Sequence, residues 1–368
     1  MDGLNLSNNI TQLRHQRKLT QEELADFMGV TKASVSKWEN AQSMPDILLL
    51  PQLASFFDVT IDELLGYEAQ LSGEQIRQHY AQLTRDFAVL PFQEALEKTR
   101  ALAHRYYSCY PFLLQLVILY WNHSMLAEGE AGRQILQEAV LWCDRILENC
   151  GDVGICDDAL ALKAGLYVQL GQPLEAIDLL EPLSDPSRIS CQNSAMLIQA
   201  YQMAGEIQKA KSYAQVEQYL EVVNLVGDGI QILSLYAKDA KRSQETIRRI
   251  QGVMEIYGVE RLHPNLAAQF YFQTAVVCGL NGKIQEACQA LGAFEKCVRR
   301  LLDAEELVLH GDDYFDLLDT WIDRQPLGNM APRDKSFIRQ SVQDILRHPA
   351  FEKIKETEEF QRIARLWE

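Results

Sequence analysis

Residues 31–37 read TKASVSK, and side chains of these types at this spacing suit hydrogen bonding to a nucleic acid or, alternatively, a plain solvated face. On a helix starting near Thr31, Val35 and Trp38 lie three apart and face inward. Lys32, Ser34, Ser36 and Lys37 are then left on an outer face with no bulky apolar residue. A narrow polar helix that stands proud of its support is what the DNA major groove admits.

Such a helix needs a second one to hold it. Thr20-Gln-Glu-Glu23 forms a capping box, in which the Thr20 hydroxyl accepts from an early N–H and Glu23 reaches back. Leu24, Ala25 and Met28 give this helix one apolar face, and Ala25 is small enough for the next helix to cross close above it. Gly29 permits the sharp turn because it has no Cβ to resist positive φ. Val30 plugs the corner and Thr31 caps the second helix. The arrangement expected is a helix-turn-helix. An ordinary αα-hairpin would share the local text, so the flanks must decide.

The flanks carry Leu13-Arg14 and Leu19-Thr20-Gln21 before the motif. After it come Trp38-Glu39-Asn40, Pro45, Leu53-Ala54 with Phe57, and Val59-Thr60 followed by Asp62 and Leu64-Leu65. On these marks residues 6–67 resemble the Cro/phage-repressor type domain, the XRE family of bacterial regulators. The resemblance implies a five-helix, lambda-repressor-like DNA-binding domain. It pairs Arg14 with Glu39 as a structural salt bridge that fixes the angle between the first and third helices. It places Lys32, Ala33 and Lys37 at base edges, the lysines toward guanine and Ala33 in apolar contact. Gln21 falls on a phosphate at a helix N-terminus, where free N–H groups and the positive helix end point at the backbone. Thr31, Ser34 and Asn40 are further candidates for DNA contact. Arg17 lies near phosphates or on a plain solvated face. Two positions depart from the family: Ala41 stands where glycine is usual, and Pro51 should start or kink the fourth helix rather than sit inside it.

Net charge over the 368 residues is −16, yet residues 1–40 balance five basic against five acidic side chains. The acid excess lies wholly beyond residue 40. Such a body repels phosphate everywhere except at the reading face, so a single domain should bind weakly and a homodimer on a two-part operator is expected. No basic apolar leader precedes the first helix. The most apolar run, at 112–121, is too short to cross a membrane and reads as a buried helix. The eight cysteines show no CxxC pair and fall mostly in apolar helical contexts, which predicts free thiols in a reducing cytoplasm.

Residues 68–73 form a polar joint, after which helix patterns continue with almost no strand signal. LALKAGLYVQLGQPLEAIDLLEPL and SAMLIQAYQMAGEIQKAKSYAQV align with Tyr167, Gly171 and Ala176 over Tyr201, Gly205 and Ala210, each offset by 34 residues. A third copy has Ala275, Gly282 and Ala287, with Cys278 at the tyrosine position. This is the tetratricopeptide period and inner signature. An irregular helical domain with accidental Gly–Ala spacing is the alternative. Residues 74–324 are therefore expected to form tetratricopeptide-like repeats, with weaker helix pairs at 75–108, 112–149 and 214–256. Residues 325–368 should close the array with capping helices.

No P-loop, dinucleotide glycine fingerprint, HExxH or GxSxG occurs, and Asp157-Asp158 and Asp312-Asp313 are adjacent positions that face apart on a helix. No catalytic residue, metal site or cofactor is expected. The usual groove-facing positions of such repeats select Gln169, Gln192, Gln199, Gln202, Gln269 and Phe272, together with Ala161, Val168, Met203 and Val276, as candidates for holding an extended peptide. An XRE domain followed by such repeats resembles regulators of Gram-positive bacteria that bind secreted signalling peptides and dimerise through the array. Asn193 and Asn265 are candidate peptide anchors by location alone. The expected partners are thus double-stranded operator DNA, a second copy of the chain, and a signalling peptide or partner protein, with no membrane. Protein docking or an antitoxin-like pairing is the alternative use of the array.

Overall fold

The computed structural model describes residues 5–67, 70–127, 130–182, 193–303, 308–329 and 331–367. Among these the chain is helical, with no strand. It divides into two compact units, Met1–Leu71 with Arg105–Cys109, and Ser72–His104 with Tyr110–Glu368. The inclusion of Arg105–Cys109 in the first unit has no counterpart in the sequence pattern. Within that unit Gln70 donates to the Ser108 carbonyl (3.1 Å) and the Leu71 N–H to the Cys109 sulfur (3.4 Å).

The first unit holds α1 (Leu6–Gln16), α2 (Gln21–Met28), α3 (Lys32–Glu39), α4 (Leu50–Phe56) and α5 (Ile61–Leu65). Two helices start on full capping boxes. Glu23 and Glu63 each accept from the backbone N–H of their threonine at 2.7 Å, while the Thr20 and Thr60 hydroxyls accept from the glutamate N–H in return. α2 and α5 both end on a left-handed glycine, Gly29 (φ 65°) and Gly66 (φ 66°). Pro51 sits in the first turn of α4, where its missing N–H costs no intrahelical bond. Ala41 adopts φ 54°, and the Gln42 N–H closes back on the Lys37 carbonyl (2.8 Å). The exit from α3 therefore keeps a left-handed geometry that glycine enters more cheaply than alanine. Ile10, Leu24, Ala25, Val35, Trp38, Leu53 and Leu64 close one core beneath α3.

The second unit runs through α6 (Gly73–Val89), α7 (Phe92–Arg105), α8 (Tyr110–His123), α9 (Ala131–Asn149), α10 (Val153–Gln169), α11 (Pro173–Leu180), α12 (Asn193–Met203), α13 (Ile207–Leu235), α14 (Ala240–Ile256), α15 (Val259–Leu262), α16 (Pro264–Leu280), α17 (Ile284–Asp303), α18 (Leu318–Ile322), α19 (Ser336–Leu346) and α20 (Glu358–Trp367). The run at 112–121 lies in α8, buried almost throughout. Among the described residues no helix is long and apolar enough to cross a membrane.

The three turns picked out by glycine share one geometry. Gly171, Gly205 and Gly282 have φ of 73°, 76° and 71°. In each, the N–H after the glycine returns to the carbonyl at the tyrosine position: Gln172 to Tyr167, Glu206 to Tyr201, and Lys283 to Cys278, at 2.8–2.9 Å. This is a Schellman closure made three times in the same register. Ala176, Ala210 and Ala287 are then buried where the second helix of each pair closes on the first. Cysteine serves in the third turn because the closure uses the backbone carbonyl and not the side chain.

One expected pair is different. No helix begins at 214; α13 runs unbroken for 29 residues, serving as the second helix of one pair and extending on to pack against α14, α16 and α18. At the C-terminal end α19, a 3₁₀ turn at Pro349–Phe351, and α20 close over α16 and α17. Phe351, Ile354, Phe360, Ile363 and Trp367 join the same core as Phe270, Leu291 and Phe294. The approach is tight, since a Cβ on Gly279 would stand 2.5 Å from the Ala350 carbonyl oxygen.

Candidate nucleic-acid interface

The angle of α3 is set by a buried ion pair. Arg14 donates from Nε to Glu39 Oε1 (2.6 Å) and from Nη2 to Oε2 (3.0 Å), a two-point grip that fixes direction as well as distance. Its Nη1 donates to the Leu19 carbonyl (2.6 Å), so one guanidinium ties α1, the α1–α2 loop and the end of α3 together. The paired side chains are 9% and 6% exposed. Burial opposes ionisation of Glu39, but the hydrogen bonds from Arg14 and Gln21 and the Arg14 charge outweigh it, so the carboxyl titrates below its ordinary range. The Glu39 hydrogen bond in turn lifts the Arg14 guanidinium above its usual value.

Gln21 belongs to this cluster, a role the sequence does not reveal. Its Nε2 donates to Glu39 Oε2 (2.7 Å). Eighteen residues separate the two, with no helical periodicity to connect them, so only the crossing of α2 over α3 brings them together. The half-buried amide lies in the first turn of α2, beside the capping box and the Glu22 and Glu23 side chains.

On α3 the outer face is as the spacing requires. Val35 and Trp38 are buried, while Thr31, Lys32, Ala33, Lys37 and Asn40 are exposed and Ser34 is half-buried. Thr31 accepts from the Ser34 N–H (3.2 Å) and its hydroxyl lies 2.9 Å from that of Ser34, so these two are engaged in starting the helix. Asn40 donates to the Ser36 carbonyl (2.8 Å). Lys32 lies 3.3 Å from Glu22 on α2, a pair whose members are both more than half exposed and which exchanges readily for water or phosphate. Lys37 has no ion-pair partner among the described residues.

Arg17 is placed differently from the others. It donates to Asp58 and lies over the Phe56 and Phe57 rings at 5.6 and 5.9 Å, a cation–π arrangement that ties the end of α1 to the α4–α5 corner. No motif in the sequence marks Asp58.

In the second unit Gln169 on α10 donates to Ser124 (3.4 Å) and is otherwise exposed. Gln199 and Gln202 on α12 and Gln269 on α16 are exposed, as are Ala161, Val168, Met203 and Asn265. Gln192 lies outside the described residues, and so does the side chain of Asn193. Phe272 is taken up by packing: its ring centroid lies 5.9–6.3 Å from those of Phe294, His348 and Phe351, because the C-terminal segment covers that face of α16. Val276 is buried with it. Of the described cysteines, five are buried and Cys150 and Cys156 half-buried, all as free thiols; Cys191 lies outside the described residues. Among the described residues no cluster of side chains is arranged to hold a metal.

Residues 10–64 match the family model for the helix-turn-helix. The chain thus carries an XRE-type helix-turn-helix domain at its N-terminus. The chain is similar to the HTH-type transcriptional activator BcrR of Enterococcus faecalis, at 44% identity over 59 residues, 16% of this chain and 29% of that protein. It is also similar to the HTH-type transcriptional regulator AnsR of Bacillus subtilis, at 36% identity over 61 residues, 17% of this chain and 53% of that one. The chain thus spans about half or less of the length of these curated relatives. Among solved structures, the apo form of the competence regulator ComR from Streptococcus vestibularis aligns with a TM-score of 0.26 at 13% identity, over 87% of this chain and 97% of that one. PlcR of Bacillus thuringiensis, solved in complex with the peptide PapR7 and DNA, aligns with a TM-score of 0.23 at 16% identity, over 80% of this chain and 95% of that one.

Proposed function

We propose that this chain is a cytoplasmic, sequence-specific DNA-binding transcriptional regulator that acts as a dimer and is not an enzyme. The observation that carries the reading is the face of α3: Lys32, Ala33 and Lys37 stand exposed above buried Val35 and Trp38, with the helix angle held by Arg14, Glu39 and Gln21. In this reading Lys32 and Lys37 reach base edges, Ala33 meets a thymine methyl, and Gln21, Ser34 and Asn40 contact phosphates. Thr31 starts the helix at the backbone, and Arg17 reaches a phosphate only by giving up Asp58. The repeats, residues 74–324, sense a peptide and join two copies, with residues 325–368 as their cap.

The test is selection of genomic fragments on the purified full chain, with and without the small-peptide fraction of the culture medium. A two-fold-repeated motif, lost with Lys32→Ala and Lys37→Ala while the fold survives, supports the DNA reading; an unchanged footprint in those variants overturns the assignment of α3. Altered occupancy with the peptide fraction supports sensing. A second use of the array rests on α12, where Met196 and Met203 are 51% and 82% exposed and would suit docking of another protein. In that case the motif appears and the peptide fraction has no effect.

A further inference from the structure

Away from the helix-turn-helix, the second unit contains an open cleft of about 760 Å³ between α6 and the segment 308–335. Arg77, Thr84 and Arg85 line it from α6, at spacings of seven and eight residues that put them along one helix face. Arg333 and Lys335 line it from the opposite side, together with Asp323 and Asp334. Four cationic side chains thus converge on two carboxylates, in a chain whose net charge is −16.

Among the described residues no carboxylate lies within ion-pair distance of Arg77, Arg85 or Arg333. Arg85 donates to Gln82 (2.9 Å) and Arg333 to the Met125 sulfur (3.2 Å), both uncharged acceptors. Arg333 is half-buried, and burial holds its guanidinium below the usual range. Asp334 is occupied elsewhere, accepting from the Ser336 N–H (2.8 Å). Thr84, which lines the cleft, is 8% exposed, and its hydroxyl has no partner among the described residues. The walls are joined, since the Tyr80 hydroxyl on α6 donates to the Pro332 carbonyl (3.1 Å). Guanidinium groups convergent on a cleft of small-molecule size gain from a ligand that brings oxyanions to them, in the bidentate geometry arginine favours.

We propose that this cleft is a binding site for a small organic polyanion, recognised through phosphate or carboxylate oxygens by Arg77, Arg85 and Arg333. The site is separate from α3 and from the glutamines of the array, so it stands or falls independently of the DNA and peptide readings.

The test is titration calorimetry on the full chain with three probes at matched ionic strength: inorganic phosphate, glucose 6-phosphate and succinate. Saturable binding of one stoichiometric ligand by at least one probe is expected. A preference for glucose 6-phosphate or phosphate identifies a phosphate ligand, and a preference for succinate a carboxylate. Arg77→Gln and Arg333→Gln should each weaken binding at least tenfold, and Arg248→Gln, at an exposed position on α14, should leave it unchanged. Arg85 is exposed and its replacement cannot undermine the core, so Arg85→Gln provides a variant whose fold is safe; a several-fold loss is expected there. No saturable binding of any probe overturns the proposal. So does binding that Arg85→Gln and Arg77→Gln leave intact, which would mark a general response to salt.

Discussion

Replacing Arg14 by methionine should destabilise the helix-turn-helix domain more than any change on the exposed face of α3. The substitution keeps much of the volume but leaves the Glu39 carboxylate, 6% exposed, with Gln21 as its only side-chain donor among the described residues. Removing one member of a buried ion pair costs about 3–5 kcal/mol, because the surviving charge stays desolvated. A domain of this size has roughly 3–9 kcal/mol in total, at ~0.05–0.15 kcal/mol per residue. Arg14→Met therefore brings it close to unfolding. Arg14→Met with Glu39→Met removes both charges and should recover about 2 kcal/mol or more relative to the single variant. It should not return to the wild-type value, since the Leu19 carbonyl still loses its donor, worth about 1 kcal/mol. Trp38 is the one tryptophan in residues 1–71, so urea unfolding of fluorotryptophan-labelled protein followed by ¹⁹F NMR reads this domain inside the full chain. The pH dependence has a definite sign. The folded Glu39 carboxyl titrates below its ordinary value, so its contribution is complete above the unfolded pKa, about 4.3, and is lost as pH falls through the folded value. An Arg14→Met loss under about 1 kcal/mol, or a double variant whose loss is the sum of the singles, would refute the coupled-pair account.

Three further outcomes follow from named positions. Ala41→Gly should stabilise the same domain by up to about 1 kcal/mol, because relief of the left-handed φ outweighs the added freedom of the unfolded chain; a lower Trp38 midpoint would contradict this. His123 is fully buried, its Nδ1 donating to the Leu119 carbonyl (2.8 Å), and burial pushes its pKa down to about 4 despite that bond. The unfolded imidazole takes up a proton below about 6.5 and the folded one does not, so stability of the second unit should fall by about 2 kcal/mol between pH 7 and pH 5. His123→Leu should flatten that slope in urea titrations read by the tryptophans at 121 and 142. Gly279→Ala should cost about 1–3 kcal/mol by forcing the Ala350 backbone away from α16, seen as a lowered thermal midpoint; an unchanged one would mean that the C-terminal segment packs loosely.

Much of this protein is legible in the text because it is local. Capping boxes at Thr20 and Thr60, the glycines that end α2 and α5, and the Gly–Ala spacing of three helix pairs are decided within five residues, by hydrogen bonds a helix end must make whatever surrounds it. The outer face of α3 follows the same way, since Val35 and Trp38 leave only one side for the lysines. Resemblance added the Arg14–Glu39 pair, which no local rule supplies. What only the tertiary structure decided involves residues far apart in sequence. Gln21 bonds Glu39, Arg17 lies on Phe56 and Phe57 beside Asp58, and Phe272 packs against a tail some eighty residues downstream. The cleft between α6 and the segment 308–335 sets Arg77 near residues about 250 positions later. Helix periodicity states which face is apolar but not which helix will cover it, so side chains whose roles depend on their neighbours could be assigned only once the helices had packed.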